Sequence, residues 1–225
     1  MTARPAERSG STQRAAIGIF GGAFSPVHNG HLRLAIEARD HLGLDQVLLM
    51  PTPQPPHRAQ PAIDLQRRSR WLEMAIADEP RLQVDLREAR RCGPSYTVDT
   101  LRELRAEHPQ TALCLLLGAD SLASLPSWRE GLQLPSLAHL VVFPRGQQVV
   151  ELPVELRGHC RAADSVDELK SEPFGAWLAL PASPLGIASS AIRELLAAGR
   201  SIRGLLPESV LADLSPEDKQ AMSQA

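Results

Sequence analysis

The chain has 225 residues, 43% hydrophobic and 22% charged, with 24 Lys+Arg against 26 Asp+Glu for a net charge of −2. That suits one generous globular domain whose core needs no disulfide or metal staple, and gives no global reason to bind nucleic acid or an acidic membrane surface. The longest apolar run, near residues 112–119, falls far short of the ~18 residues of a membrane span.

Residues 1–14 are polar, with Arg4, Arg8 and Arg14 and no apolar stretch. They read as a disordered start rather than a secretory signal or transit peptide, and an extension over residues 1–15 is expected. The three cysteines, Cys92, Cys114 and Cys160, are odd in number and far apart. They form no disulfide framework, which favours a reducing, cytoplasmic compartment.

Residues 17–20 (Ile-Gly-Ile-Phe) read as a strand ending at Gly21-Gly22. Leu32, Ala35, Ile36, Ala38 and Leu42 recur at helical spacing and Gly43 supplies a stop. Residues 47–50 form a second strand, so the opening is a β-α-β unit with two parallel strands. The loop 51–61 carries five prolines and is neither helix nor central strand. Asp64 can cap a helix running to about Asp78, with Leu72, Ala75 and Ile76 inward. Residues 82–84 suit a short strand, and Thr97 starts a helix with Val98, Leu101 and Leu104 on one face that ends before Pro109.

Residues 112–117 and 138–143 are continuous apolar runs, as in strands covered on both faces. Between them, residues 121–125 and 128–132 suit short helical pieces, whereas 145–173 is charged and patternless. Residues 176–180 read as the last strand, followed by a helix over 189–198 and a terminal helix opened by Pro207. Strands alternate with helices, which makes the architecture α/β with a mostly parallel sheet. One domain is expected over 16–214, with a flexible tail over 215–225.

Chemistry concentrates in residues 21–31, Gly-Gly-Ala-Phe-Ser-Pro-Val-His-Asn-Gly-His, directly after the first strand and opening the first helix. In open parallel sheets ligands sit at the carboxyl ends of strands, near helix N-termini. Glycines there admit backbone N–H groups to a phosphate, and the helix start favours an anion. His28 and His31, three residues apart, can face one ligand and donate hydrogen bonds to phosphate oxygens. The plain alternatives are a Gly-Gly turn, or a His-x-x-His metal pair, for which no close third ligand is present. It is not a Walker loop, since no Gly-Lys-Ser/Thr follows.

This segment resembles the H-x-G-H signature of the nucleotidyltransferases that transfer nucleoside monophosphates. Further segments follow in order: Pro55-Pro56-His57-Arg58, then Pro94-Ser95-Tyr96-Thr97-Val98-Asp99-Thr100-Leu101. Gly118-Ala119-Asp120-Ser121-Leu122 comes next with Pro126-Ser127-Trp128, and Ala188-Ser189-Ser190-Ala191-Ile192-Arg193 last. Together they are similar to bacterial nicotinate-nucleotide adenylyltransferases over residues 17–214, with 145–173 unmatched.

The resemblance implies a Rossmann-like, doubly wound sheet with helices on both faces, and adenylyl transfer from ATP to nicotinate mononucleotide in NAD biosynthesis. It assigns the ATP phosphates to Gly21, Gly22, Ala23, Phe24, His28 and His31, gripped from the other side by Ser189, Ser190 and Arg193. His28, His31 and Arg193 are the implied catalytic residues. Gly118 and Asp120 would meet a ribose hydroxyl, Trp128 would stack on the pyridine ring, and Tyr96-Thr97 would line that pocket. His57 and Arg58 would receive the mononucleotide phosphate. Without the resemblance, Ser189-Ser190, Asp120 and Thr97 read equally as helix caps, and His57-Arg58 as a solvated loop tip.

Mg²⁺ is expected to be carried on the triphosphate and water rather than in a protein cage. The implied partners are the two small molecules, with no nucleic acid and no membrane, and homo-oligomerisation stays open. The family usually has Thr or Ser where this chain has Ala23, and Asp where it has Ser25, which puts full activity in question but not the fold. Two rivals follow: transfer to another phosphate, such as phosphopantetheine or nicotinamide mononucleotide, or a nucleotide-binding protein without catalysis.

Overall fold

The structure, a computed structural model, describes residues 14–53, 60–91, 93–144, 149–181 and 185–224. Among them, seven strands make one all-parallel sheet: β1 (Ala16–Gly22), β2 (Gln46–Pro51), β3 (Leu82–Val84), β4 (Ala112–Gly118), β5 (His139–Phe143), β6 (Arg161–Ala162) and β7 (Ala176–Ala179). Their spatial order is β3-β2-β1-β4-β5-β7-β6. The helices are α1 (Asn29–Leu42), α2 (Leu65–Ala75), α3 (Thr97–Glu107), α4 (Ala119–Ser124), α5 (Val166–Lys170), α6 (Ser189–Ala197), α7 (Glu208–Asp213) and α8 (Pro216–Ser223). No helix of the described residues is long and apolar enough to cross a membrane.

The unbroken apolar runs arise because alternate side chains of a strand point to opposite faces and both faces are covered. Leu113, Leu115 and Leu117 of β4 share one core with Leu48, Met50, Leu140 and Val142, closed by α3 and α4. Cys114 and Leu116 go to the other face with Val47, Leu49, Val141 and Phe143, under α1, α2 and α6 to α8. The doubly wound architecture expected from the sequence is therefore present.

Helix ends follow local chemistry. Asp64 accepts the Arg67 N–H at 2.8 Å to open α2. Gly43 ends α1 in the left-handed region (φ 56°), and the Lys170 ammonium donates to the carbonyls of Leu42 and Gly43 at 3.1 and 3.2 Å.

Several expectations change. Residues 215–224 are not part of a flexible tail: Ser215 and Asp218 form a reciprocal capping box, Met222 is fully buried, and α8 packs on α6. The segment has too few apolar residues to show a periodicity, yet Asp218 also pairs with Arg67 of α2 at 2.7 Å. The helix after Pro207 is accordingly not terminal. At the other end, residues 1–13 lie outside the described residues, but Ala15 already accepts the Ala112 N–H at 2.8 Å. The patternless stretch after residue 144 holds the edge strand β6 and α5, elements too short to have a period. Thr97 is the first helical residue of α3 rather than its cap, since Tyr96 occupies that place.

The chain lays β1, β2 and β3 outward in one direction, then returns to place β4 on the other side of β1. This reversal is where an open parallel sheet leaves a crevice. The ladder between β1 and β4 stops at Ile19–Leu115, although β1 remains paired with β2 to Gly22–Pro51 and β4 with β5 to Gly118–Phe143. The carboxyl ends of the two central strands thus run on beyond their shared ladder, and both end in glycine, Gly21-Gly22 on β1 and Gly118 on β4.

Candidate active site

The loop leaving β1 is shaped by crowding around two rings. Phe24 is buried and adopts φ 46°, a costly region for a residue with a side chain, and the Ser25–Pro26 peptide is cis. Its ring lies edge-on to His31 with centroids 4.9 Å apart, and a Cβ on Gly22 would come within 3.3 Å of it. By contrast, a Cβ on Gly21 or Gly118 would meet nothing within 4 Å. Backbone at those two positions is open to close approach.

His28 caps α1, its Nδ1 accepting the His31 backbone N–H at 3.3 Å, which leaves the neutral-ring proton on Nε2 as donor. The two imidazoles stack with centroids 3.6 Å apart and planes 22° apart. Gly30 is the residue that permits this: a Cβ there would stand 3.0 Å from His28 Nδ1 and 3.3 Å from the Ile187 carbonyl oxygen. Burial pushes the His28 pKa down to about 4, and burial with the neighbouring His28 holds His31 well below the ordinary range. Near neutral pH both rings are uncharged donors in the ligand-free protein.

The start of α6 is fastened to this loop. Ser189 Oγ donates to the Pro26 carbonyl and Arg193 Nη1 to the Ser25 carbonyl, each at 3.0 Å. Ser189 is thus a tether between segments rather than a plain cap, and Ala188 stands at the cap position. Ser190 is exposed in the first turn of α6. Arg193 Nε and His31 Nδ1 are enclosed without a partner among the described residues. From α1, Asn29 donates its amide to the carbonyls of Gly204 and Leu206 at 2.9 and 3.2 Å, holding the α6–α7 connection against the H-x-G-H turn.

Across the crevice, Gly118 stands at the N-cap of α4, and Asp120 is exposed in its first turn, not a cap. Trp128 is half-buried against the core of that face, and its indole N–H donates to Ser124 Oγ at 3.2 Å. A tight turn presents it: Trp128 N–H bonds the Leu125 carbonyl, Gly131 N–H bonds the Trp128 carbonyl, and Glu130 takes φ 51°. A Cβ on Gly131 would fall 2.0 Å from the Leu125 oxygen. Tyr96 lies half-buried on the same core, with the Arg129 guanidinium 4.6 Å over its ring, so the Tyr96-Thr97 and Trp128 segments are neighbours. His57 and Arg58 lie outside the described residues. No three His, Cys, Asp or Glu side chains among those described converge as a metal cage.

The sequence reading did not find Arg68 of α2. Its buried guanidinium donates to the carbonyls of Ala23, Ile63, Thr52 and Pro53, the last three at 3.0, 3.1 and 3.3 Å. It therefore fixes the loop after β1 and the loop after β2 together. A signal existed: Arg68 stands three and four residues before the buried Trp71 and Leu72, on the apolar face of α2. Ala23 and Ser25, the two departures from the family pattern, serve here through backbone carbonyls, taken by Arg68 and Arg193.

The sequence model of the cytidylyltransferase-like family matches residues 19–195. A nicotinate-nucleotide adenylyltransferase of Methylococcus capsulatus, named as probable, is 44% identical over 199 residues, covering 87% of this chain and 94% of its own. Its namesake in Halorhodospira halophila is 45% identical over 196 residues, covering 86% and 90%. Among solved structures, Plasmodium falciparum nicotinic acid mononucleotide adenylyltransferase complexed with NaAD superposes with a TM-score of 0.64 at 16% identity, over 93% of this chain and 95% of that one. That likeness concerns the fold, which the two share through nearly their whole lengths. The chain belongs to the cytidylyltransferase-like family and, within it, to the nicotinate-nucleotide adenylyltransferases.

Proposed function

We infer that this chain transfers the adenylyl group of ATP to nicotinate mononucleotide, giving nicotinate adenine dinucleotide and pyrophosphate in NAD biosynthesis. The observation that carries the site reading is the convergence at the β1–β4 gap. An open glycine backbone, two stacked neutral imidazoles and the Ser189–Arg193 end of α6 are bonded into one unit there. Each group can donate to anionic oxygen, and the unit offers no carboxylate to repel it.

In the reaction read onto this site, a 5′-phosphate oxygen of the mononucleotide attacks the α-phosphorus of ATP. The bond to the bridging oxygen breaks, and pyrophosphate leaves in line. No protein nucleophile is required; the protein's part is positioning and charge stabilisation. The His28 Nε2–H, the His31 ring and the Arg193 guanidinium supply donors to the triphosphate, joined by backbone N–H groups of residues 21–24. Because the imidazoles start neutral, they stabilise charge that develops on the leaving oxygens without first being tied up by a resident counter-ion. Magnesium bound to the triphosphate would neutralise part of its charge.

Trp128, set in its rigid turn beside Tyr96, serves as the stacking surface for the pyridine ring, and Gly118 and Asp120 face the ribose. The odd, separated cysteines support a reducing, cytoplasmic setting. The testing experiment is Mg²⁺-dependent pyrophosphate release from ATP, with nicotinate and nicotinamide mononucleotides side by side. Strong preference for the acid is expected. Preference for the amide would overturn the substrate, and ATP binding with release from neither would mean that Ala23 and Ser25 mark a lost activity.

A further inference from the structure

Arg68 of α2 is 1% exposed, and its guanidinium is committed in three directions at once. Nε donates to the Ile63 carbonyl at 3.0 Å, and Nη2 to those of Thr52 and Pro53 at 3.1 and 3.3 Å. Nη1 is thereby set against the Ala23 carbonyl, to which it donates. The group is planar and its N–H donors form a rigid fork, so these carbonyls keep one relative geometry. All four acceptors are main-chain carbonyls, a costly way to bury a charge if packing were its only use.

The Ala23 carbonyl matters for what lies at the other end of its peptide. In a planar trans peptide the C=O and N–H point opposite ways, so holding this carbonyl on Arg68 turns the Phe24 N–H away from α2. The preceding peptide is held in the same sense, since the Gly22 carbonyl accepts the Thr52 N–H at 2.9 Å. Phe24 itself sits at φ 46°, a disfavoured value for a side chain of this size. Turning the Ala23–Phe24 peptide over by about 180° would carry Phe24 into the extended region and relieve that strain. Such a turn moves mainly the peptide's own atoms, so the packed Phe24 ring, 4.9 Å from His31, opposes it little. The bond from Arg68 opposes it directly. A turned peptide would present a carbonyl oxygen, instead of an N–H, to the negative triphosphate.

We propose that Arg68 is a positioning residue for adenylyl transfer, holding the Ala23–Phe24 peptide in the orientation that gives the Phe24 N–H to the ATP phosphates. This rests on the assignment of the loop after β1 to the triphosphate. Tyr96 and Trp128 stand across the crevice, so the loss falls on ATP far more than on the mononucleotide.

The test is Arg68→Lys, which keeps the charge and the stem but not the fork. Turnover is read by pyrophosphate release, and MgATP and nicotinate mononucleotide affinities separately by calorimetry. We expect the MgATP dissociation constant to rise and kcat to fall by about tenfold or more each, with the mononucleotide constant changed less than about threefold. A crystal structure of the variant should show the Ala23 carbonyl turned away from position 68. Should Arg68→Lys not fold, Arg68→Gln, which is neutral and free of the desolvation cost of a buried cation, is measured with the same expectations. Wild-type MgATP affinity, equal weakening of both substrates, or an unturned peptide overturns the proposal. His31→Ala is measured in parallel: lost turnover upholds the loop assignment whatever Arg68→Lys does. Wild-type turnover in His31→Ala overturns that assignment and the proposal with it.

Discussion

Gly30→Ala separates the stability of the H-x-G-H turn from its chemistry. The new methyl would sit 3.0 Å from His28 Nδ1, 3.1 Å from His28 Cε1 and 3.3 Å from the Ile187 carbonyl. His28 cannot simply swing away, because its ring is buried, stacked 3.6 Å from His31 and bonded to the His31 N–H. Relief must come from a shift of a few tenths of an ångström in the imidazole or in the segment before α6. Two stability terms oppose one another. Overpacking costs about 1–3 kcal/mol, and Ala in place of Gly in α1 returns about 1 kcal/mol.

The net cost of Gly30→Ala is therefore about 0–2 kcal/mol, a fall in Tm of no more than several degrees for a domain of this size. The rate responds far more steeply, since displacing a donor from the position of developing charge costs about ten- to a hundredfold. The assays are a thermal melt and pyrophosphate release under saturating ATP and nicotinate mononucleotide. A variant that melts within a few degrees of the wild type and has lost about tenfold or more in kcat fits the reasoning. Unchanged kcat would refute it, since the stacked pair would then not need the geometry that Gly30 permits.

His28→Ala and His31→Ala should each lower turnover by about a hundredfold while leaving nicotinate mononucleotide affinity nearly intact, and wild-type turnover in either would remove these rings from the mechanism. Gly131→Ala forces the Leu125–Gly131 turn apart, since its Cβ would lie 2.0 Å from the Leu125 oxygen. We expect a KM for the mononucleotide raised about tenfold or more with little change for ATP; equal effects on both substrates would refute Trp128 as the pyridine platform.

His139 supplies a pH test of stability. Buried and neutral, it bonds the Glu172 carbonyl at 2.9 Å and accepts the Ala176 N–H at 3.2 Å, and burial lowers its pKa from 6.5 to about 4. The unfolded chain takes up a proton that the native ring refuses. Stability is thus full above pH ~6.5 and declines as the pH falls toward 4, by about 3 kcal/mol from this group. Urea unfolding of the wild type and His139→Leu between pH 7.5 and 4.5 should show a shallower decline in the variant, and parallel curves would refute the account.

Much of this protein is local, and that much was legible in the sequence alone. Residues 112–117 announce a doubly covered strand because both of its faces must be apolar, and Gly43 announces the end of α1 because its backbone turns left-handed. The nearness of His28 and His31 was legible for the same reason, since a spacing of three at a helix entry brings two rings together, and they stack 3.6 Å apart. The tertiary structure decided what depends on distant partners. Arg68 stands on the apolar face of α2, but only the fold brings the carbonyls of Ala23 and Thr52 to it, and Glu88 looks like any carboxylate until burial strips its water and the Thr100 hydroxyl reaches it. Likewise α8 has too little apolar surface to declare itself, and becomes a helix with a role only where α6 and Arg67 receive it. Propensity and spacing act over a few residues, whereas the desolvation that makes a buried ion functional or costly is set by neighbours the chain delivers from tens of residues away.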